Sequence, residues 1–141
     1  MFGPTRIVLL VFLTLTIMVT TVSAGSISIK LGWDPNSEYN LVGYKLYYKT
    51  GASGGAYNGV GLDQGDSPIT IYLSNQTGQP NHLTDDHHPE FEISGLSRGT
   101  TYYMVLTAFN DRSLESGFSN EVSYKKMVNL TAVYKVILEE P

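Results

Sequence analysis

The stretch from Leu96 to Asn110 constrains the fold of this chain more than any other part of it. After an Arg-Gly turn, apolar side chains recur with a period of two at Tyr102, Met104, Leu106 and Ala108. The opposite register holds Tyr103, Val105, Thr107 and Phe109. Side chains two residues apart share one face of a strand, and a strand that is apolar on both faces is typical of the centre of a sheet. The stretch therefore predicts a buried central strand.

Other segments of the chain repeat this alternation at intervals marked by turns. The predicted strands are Ile27–Trp33, Leu41–Lys49, Ile69–Leu73, Glu90–Ser94 and Phe118–Tyr124. Between them, residues 50–67 are rich in Gly, Ser, Asn and Asp and predict a long exposed loop, and residues near 74–89 predict a polar loop insertion. Short strands without any helical period predict an all-β protein, folded as one antiparallel β-sandwich over residues 25–125.

The N-terminal 24 residues have the pattern of a secretory signal peptide. Arg6 precedes an apolar run from Ile7 to Val22, and small residues follow at Ser23 and Ala24. This order of basic, apolar and small residues predicts cleavage after Ala24. The apolar run is shorter than the roughly 20 residues of a membrane-spanning helix, which disfavours the alternative of an uncleaved anchor. The expected location is therefore extracellular, on the cell surface or in the periplasm, with no membrane span after cleavage.

Charge and cysteine content exclude several functional classes. Removal of 24 of the 141 residues leaves 117, with 8 basic and 13 acidic side chains because Arg6 is the single charge removed. A net charge of −5 repels phosphate backbones, so a nucleic-acid partner is not expected. The chain contains no Cys, which excludes disulfides, thiol catalysis and Cys-ligated metals. It also lacks a nucleophile elbow and a phosphate-binding Gly loop, so we expect neither catalysis nor a cofactor.

Five ordered blocks of sequence resemble a fibronectin type III domain of the kind found in secreted bacterial proteins. These blocks are residues 29–35, 42–48, 91–96, 99–102 and 115–122. The resemblance implies an immunoglobulin-like sandwich, with Trp33, Tyr44, Ile93, Tyr102 and Val122 on the strands that this family names B, C, E, F and G. It also implies that Tyr102 forms a tyrosine corner, in which the ring is buried and the hydroxyl bonds to nearby backbone. The family consists of binding and spacer modules, so the resemblance implies no chemistry.

Two departures from the family pattern lie at the ends of the chain. Cleavage after Ala24 leaves only Gly25 and Ser26 before the Ile27 strand, so the family's first strand has no counterpart. Residues 126–141 continue past the last family strand, and their apolar alternation predicts an extra C-terminal β-strand. One interpretation is a hairpin with the preceding strand. The other is exchange with a partner molecule, in which the segment fills the empty edge by β-augmentation.

The loop insertion carries the chain's three His residues among carboxylates. Imidazole and carboxylate groups are metal ligands, so a weak metal site is one hypothesis and a solvated polar loop is the other. The spacing matches no established metal motif. The candidate ligands are His82, Asp85, Asp86, His87 and His88.

The loops before and after the central strands supply the candidate partner-binding residues. By the resemblance, residues 34–40 and 110–117 share one end of the sandwich, where loops on rigid strands commonly bind partners. The candidates are Tyr39, Asn110, Asp111, Arg112 and Glu115. A second candidate surface is an aromatic platform of Tyr47, Tyr57 and Tyr72, which would suit a glycan or merely cover a sheet.

The sequence thus predicts a secreted, non-catalytic adhesion or assembly module that acts through protein–protein contacts or self-association. Strand pairing by the C-terminal segment is one route to such assembly. The alternative is a carbohydrate- or metal-binding accessory protein of the cell surface.

Overall fold

The computed structural model describes residues 13–14 and 27–127, and within them the chain is all-β. Seven strands form two antiparallel sheets, consistent with a β-sandwich, and the described residues contain no helix. A membrane-spanning helix is accordingly not found in the described part of the chain. The strands are β1 (Leu13–Thr14), β2 (Ile27–Trp33), β3 (Leu41–Thr50), β4 (Ile69–Tyr72), β5 (Glu90–Leu96), β6 (Thr101–Asn110) and β7 (Val122–Lys125).

The strand order places β6 inside its sheet, as its two apolar faces predict. One sheet has the order β1-β2-β5, and the other has the order β4-β3-β6-β7. The longest pairing joins β3 and β6, from Leu41 opposite Asn110 to Thr50 opposite Tyr102. In the other sheet, β2 pairs with β5, with Ile29 opposite Ile93. The long β3–β6 pair is therefore the frame from which the loops project.

The core is built from the inner faces of both sheets. On β2, alternate side chains from Ile29 to Trp33 are buried, and on β5 the buried side chains are Ile93 and Leu96. On β3, the alternation predicted from sequence is confirmed, because Tyr44, Leu46 and Tyr48 are at most 1% exposed while the side chains between them lie nearer the surface. The Trp33 ring packs edge-to-face on Tyr44, with ring centroids 5.1 Å apart. Aromatic and branched side chains thus fill the space between the sheets.

Tyr102 lies at the start of β6 and is buried, as expected. Its ring is 5% exposed, and its hydroxyl accepts a hydrogen bond from the backbone N–H of Ser97 at 3.0 Å. The bond ties the turn between β5 and β6 to the core. Gly99 completes this turn with a φ of 78°, a left-handed conformation that favours glycine. Tyr102 therefore fixes the point at which the chain crosses from one sheet to the other.

Each of the two long loops inserts one leucine side chain into the core, which the sequence did not indicate. In the loop of residues 51–68, Leu62 is 6% exposed, and the Tyr48 hydroxyl donates to the Gly65 carbonyl at 2.9 Å. In the insertion, Leu83 is 1% exposed, and its N–H donates to Tyr72 of β4 at 2.8 Å. The expectation of wholly exposed loops was wrong, because an isolated Leu carries no periodicity and is anchored by contacts distant in sequence.

The last strand of the sandwich begins later than the sequence predicts. A strand was expected from Phe118, but β7 starts at Val122. The reason is that two hydroxyls occupy acceptor positions of the ladder: Ser116 Oγ accepts from Ala108 N–H, and Ser119 Oγ accepts from Leu106 N–H, each at 2.9 Å. Residues 116–121 therefore run along β6 without forming a regular strand.

The predictions for the two chain ends concern mainly residues outside the described part. Of the predicted signal peptide, residues 1–24, only β1 is described, and it pairs antiparallel with β2 at Gly32 and Trp33. In the uncleaved chain, β1 thus occupies two residues of the slot beside β2 that we expect to be empty after cleavage. Of the predicted extra strand, residues 126–141, only Lys126 and Met127 are described, and neither lies in a strand.

Candidate binding surfaces

The loops that follow β2 and β6 meet at one end of the sandwich, as the candidate partner-binding site requires. Two hydrogen bonds join them: Asn40 Nδ2 donates to Asp111 Oδ1 at 3.3 Å, and Asp111 N–H donates to the Asn40 carbonyl at 3.1 Å. The pairing of Leu41 with Asn110 lies directly beneath. These loops are therefore held at a fixed separation by the β3–β6 pair.

Asn110 shapes the second loop and does not present its side chain to the surface. The residue is 7% exposed, and its Oδ1 accepts from the N–H groups of Arg112 and Leu114, each at 3.0 Å. Within this turn, Ser113 adopts a left-handed φ of 60°. The Asn110 amide thus satisfies backbone donors that the tight turn would otherwise leave unpaired.

The exposed side chains at this end form a surface that we name the loop-end patch. Tyr39 is 96% exposed at the tip of the first loop, and Leu114 is 57% exposed on the second. Asp111 and Arg112 lie on the second loop and are also exposed. The loop-end patch therefore combines two uncovered apolar side chains with one acidic and one basic group. It consists of Tyr39, Asp111, Arg112 and Leu114.

Glu115 faces the outer side of the four-stranded sheet and is not part of the loop-end patch. Its carboxylate accepts from Lys45 Nζ at 2.6 Å, Tyr47 Oη at 2.5 Å and Thr107 Oγ1 at 2.7 Å. Partial burial favours the neutral acid, but the hydrogen bonds from Lys45, Tyr47 and Thr107 outweigh it and lower the pKa of Glu115. The carboxylate is therefore engaged within the chain.

Residues 115–121, which we name the strap, run beside β6 and direct three side chains onto this outer face. Glu115 is the first, and Phe118 is the second: its ring stands edge-to-face on Tyr47 and Tyr57, at 5.1 and 5.4 Å between centroids. Glu121 is the third, and it accepts from Ser53 Oγ, Tyr57 Oη and Gly54 N–H. The strap thus connects the outer sheet face to the loop that follows β3.

The strap changes the acidity of the groups it contacts. Hydrogen bonds from Ser53, then Tyr57 and Gly54, lower the pKa of Glu121. Desolvation, followed by the bond to Glu115, raises the pKa of Tyr47 to about 12. Desolvation and the bond to Glu121 likewise raise the pKa of Tyr57 to about 12. Each pair is therefore most stable as a carboxylate beside a neutral phenol.

The three tyrosines of the proposed aromatic platform each pack edge-to-face on a phenylalanine ring. Tyr47 and Tyr57 are connected through Phe118 at interplanar angles of 69° and 71°. Tyr72 packs instead on Phe109, at 84° and 5.9 Å between centroids. The arrangement is that of aromatic side chains covering a sheet face.

The candidate metal ligands of the insertion are directed to different partners. Asp86 accepts from Ser74 N–H and Ser74 Oγ, both at 2.8 Å. Asp85 Oδ1 accepts from His87 N–H at 2.8 Å, and its Oδ2 lies 3.1 Å from His88 Nδ1. These bonds, led by that from His87, lower the pKa of Asp85. His82 contacts the Gln79 carbonyl at 3.3 Å. Across the described residues, no three His or carboxylate side chains converge on a point where a metal ion would sit.

Sequence reasoning did not identify Leu114, Phe118 or Glu121 as surface residues of interest. Leu114 and Phe118 were detectable in principle, since each is a large apolar residue within an otherwise polar loop. Glu121 carried no such signal, because its partners are distant in sequence. Nothing in the sequence indicated a shallow hollow beside the loop-end patch. This hollow is lined by Glu38, Asn40, Leu41, Ala108, Phe109 and Asn110.

Comparison with known proteins found no family model that matches this chain and no curated protein similar to it.

Proposed function

We propose that this chain is a secreted, non-catalytic binding module with a fibronectin type III-like fold, which holds a protein partner at the loop-end patch. The observation that carries the proposal is the exposure of Tyr39 and Leu114 on two loops that are hydrogen-bonded to each other. Large apolar side chains held at a rigid position without cover are typical of protein interaction sites. Arg112 and Asp111 beside them supply charges that would orient a partner.

Support for the family comes from the order of the five sequence blocks along the strands. The residues compared with the family's B, C, E, F and G strands lie on β2, β3, β5, β6 and β7 respectively. The buried Tyr102, with its hydroxyl on backbone N–H, has the features of a tyrosine corner. In this proposal, the leader directs export and the disulfide-free core suits any extracellular redox state.

The proposal is tested by partner capture with variants of the loop-end patch. The chain is immobilised and exposed to the surface proteins of its own source cells, and the retained proteins are identified. Tyr39→Ser combined with Leu114→Ser is expected to abolish retention of the partner without lowering the melting temperature, because both side chains are exposed. Retention that is unchanged in the double variant would overturn the proposed surface.

Val60→Ser is the matched control for this experiment. Val60 is 72% exposed but lies on the loop after β3, outside the loop-end patch. A partner recognised by the loop-end patch is retained by Val60→Ser as by the unchanged chain. Equal loss in Val60→Ser and in the double variant would indicate general adhesion to exposed apolar groups.

The alternative of a carbohydrate- or metal-binding accessory protein has separate tests. Glycan arrays probe the outer face, where Tyr47 and Tyr57 have their hydroxyls engaged by carboxylates. Binding of a glycan that Phe118→Ala removes would favour a carbohydrate function over the proposed one. Calorimetric titration with zinc, nickel and calcium probes the insertion, and heat that disappears in His88→Ala would favour a metal function.

A further inference from the structure

We propose that the outer edge of β2 is an assembly site that accepts residues 128–138 from a second copy of this chain, as an antiparallel strand. This inference does not rest on the loop-end patch, which lies on other residues. It concerns self-association through backbone hydrogen bonds, and its partner is identified by sequence as the chain's own C-terminal segment.

The first observation is that β2 is deeply packed but has an incompletely paired edge. Ile29, Leu31 and Trp33 are at most 4% exposed on its inner face, as in a central strand. On the side away from β5, β1 pairs only with Gly32 and Trp33. Among the described residues, none pairs with Ile27–Leu31 on that side. Long unprotected edges are templates for added strands, and β2 contains no Pro to block one.

The second observation is the direction in which this edge is used. β1 runs antiparallel to β2, so the edge accepts an antiparallel strand at Trp33. β1 belongs to the segment that the sequence predicts to be removed on export, and its removal opens the edge from Ile27 to Trp33. An antiparallel replacement has to enter at the Trp33 end of β2.

The third observation is where β7 leaves the sandwich. Lys125 lies opposite Thr101, and the Lys126 carbonyl accepts from Gly99 N–H at 2.8 Å, so the chain is still straight at Lys126. This is the end at which β2 begins, because Ile27 pairs with Leu96 just before the same turn. A segment that returned from there along its own β2 would run parallel to it. In a dimer whose two-fold axis is perpendicular to the strands, the same segment runs antiparallel to the β2 of the other copy.

The sequence of residues 128–138 suits this place. It alternates Val128, Leu130, Ala132, Tyr134, Val136 and Leu138 with intervening residues that include Asn129, Thr131 and Lys135. An added strand of this pattern would place one apolar row toward the core and extend the β2 sheet. Because a reciprocal exchange uses the same surface on both copies, it closes as a dimer and does not propagate.

Lys30→Pro is the decisive variant, because it removes one outward-facing donor from the edge. Trp33 N–H donates to Pro89 beside β5, at 3.2 Å. N–H groups alternate in direction along an antiparallel strand, so the N–H of Leu31 also faces β5 and that of Lys30 faces the open edge. Proline at such a position leaves the β2–β5 ladder intact. Lys30→Ala is the control, since it loses the same side chain and its contact with Glu90 but keeps the N–H.

The experiment is size-exclusion chromatography with light scattering on the exported, purified chain over a concentration series. The unchanged chain and Lys30→Ala are expected to elute as dimers, and Lys30→Pro as a monomer or a much weaker dimer. A chain ending at Lys126 lacks the proposed added strand and is expected to be monomeric. If Lys30→Pro fails to fold, this shortened chain tests whether dimerisation requires residues 128–138. A monomer at every concentration, or a dimer equally stable in Lys30→Pro and in the shortened chain, overturns the proposal.

Discussion

The two faces of β6 are both covered, but by contacts of different kinds. Its inner face, with Tyr102, Met104 and Leu106, packs against the opposite sheet through apolar contacts. On its outer face, Val105 and Thr107 are each 2% exposed, although no second sheet of the described residues packs there. The strap runs beside β6, bonded to its backbone through Ser116 and Ser119, and its carboxylates Glu115 and Glu121 accept further hydrogen bonds on the outer side.

The comparison shows that burial within this sandwich has two physical origins. Inner-face burial depends on apolar area, which is insensitive to pH. On the outer face, the strap adds charge-assisted hydrogen bonds, which require ionised carboxylates. We therefore expect the inner face to determine whether the chain folds and the outer face to determine how far the strap stays attached.

The largest expected effect is the loss of the inner-face anchor in Tyr102→Ala. Deleting a buried aromatic ring leaves a cavity and should lower the free energy of unfolding by about 3 kcal/mol or more. Tyr102→Phe is the control: it keeps the ring and loses only the bond from Ser97 N–H, at a cost of about 1 kcal/mol. Urea denaturation measures both. Near-unchanged stability of Tyr102→Ala would contradict the role assigned to the inner face.

A smaller effect is expected when the first outer-face anchor is removed in Glu115→Ala. Lys45, Tyr47 and Thr107 lose a common acceptor, but partial exposure lets water replace it, so we expect a loss of about 1–2 kcal/mol. Asp111→Ala is the control, because its carboxylate is exposed and makes a single long bond from Asn40. Denaturation curves that are equal for the two variants would show that the strap does not stabilise the fold.

Phe118→Ala should have a weaker effect again. Phe118 is 56% exposed, so only part of its ring is buried. Its edge-to-face contacts with Tyr47 and Tyr57, together with the apolar area they bury, should contribute about 1 kcal/mol to the free energy of unfolding. Amide hydrogen exchange should show faster exchange at Leu106 and Ala108, whose N–H groups donate to strap hydroxyls. Unchanged exchange at both amides would mean that Phe118 does not hold the strap in place.

The smallest effect expected is a pH dependence confined to the outer face. The pKa of Glu115 is lowered in the folded state, so its contribution is present above the unfolded value near 4.5 and is lost as pH falls through the folded one. The pKa of Tyr47 is raised to about 12, so its contribution is present below the unfolded value of 10 and is lost as pH rises toward 12. The melting temperature of Glu115→Gln should therefore vary less with pH in both windows than that of the unchanged chain.

Much of the architecture was predictable because a two-residue period records which face of a strand is buried. The predicted β2, β3, β4, β5 and β6 are all present, with boundaries shifted by only a few residues. The burial of Leu62 and Leu83 was not predictable, since a single apolar residue in a polar loop has no period. Nor was the delayed start of β7, because Ser116 and Ser119 replace backbone acceptors only in the folded chain.

The candidate surfaces were predictable in position but not in detail. The meeting of the loops at Asn40 and Asp111 was expected from the resemblance to a fibronectin type III domain. The orientation of each side chain was not predictable. Asn110 turns inward, Glu115 binds the sheet face, and Tyr39 remains exposed. The position of Glu115 depends on donors up to 70 residues away, as for Lys45, and that of Asn110 depends on how the turn after β6 folds.

The sequence alone determined that Leu96–Asn110 would be a turn followed by a central strand, because local alternation and a glycine turn suffice for that. Only the tertiary structure decided what covers the outer side of this strand. Part of that cover comes from the strap, whose two glutamates accept hydrogen bonds from donors in three different segments of the chain. Periodicity encodes burial against a sheet, whereas polar anchoring depends on distances that exist only after the strands have paired.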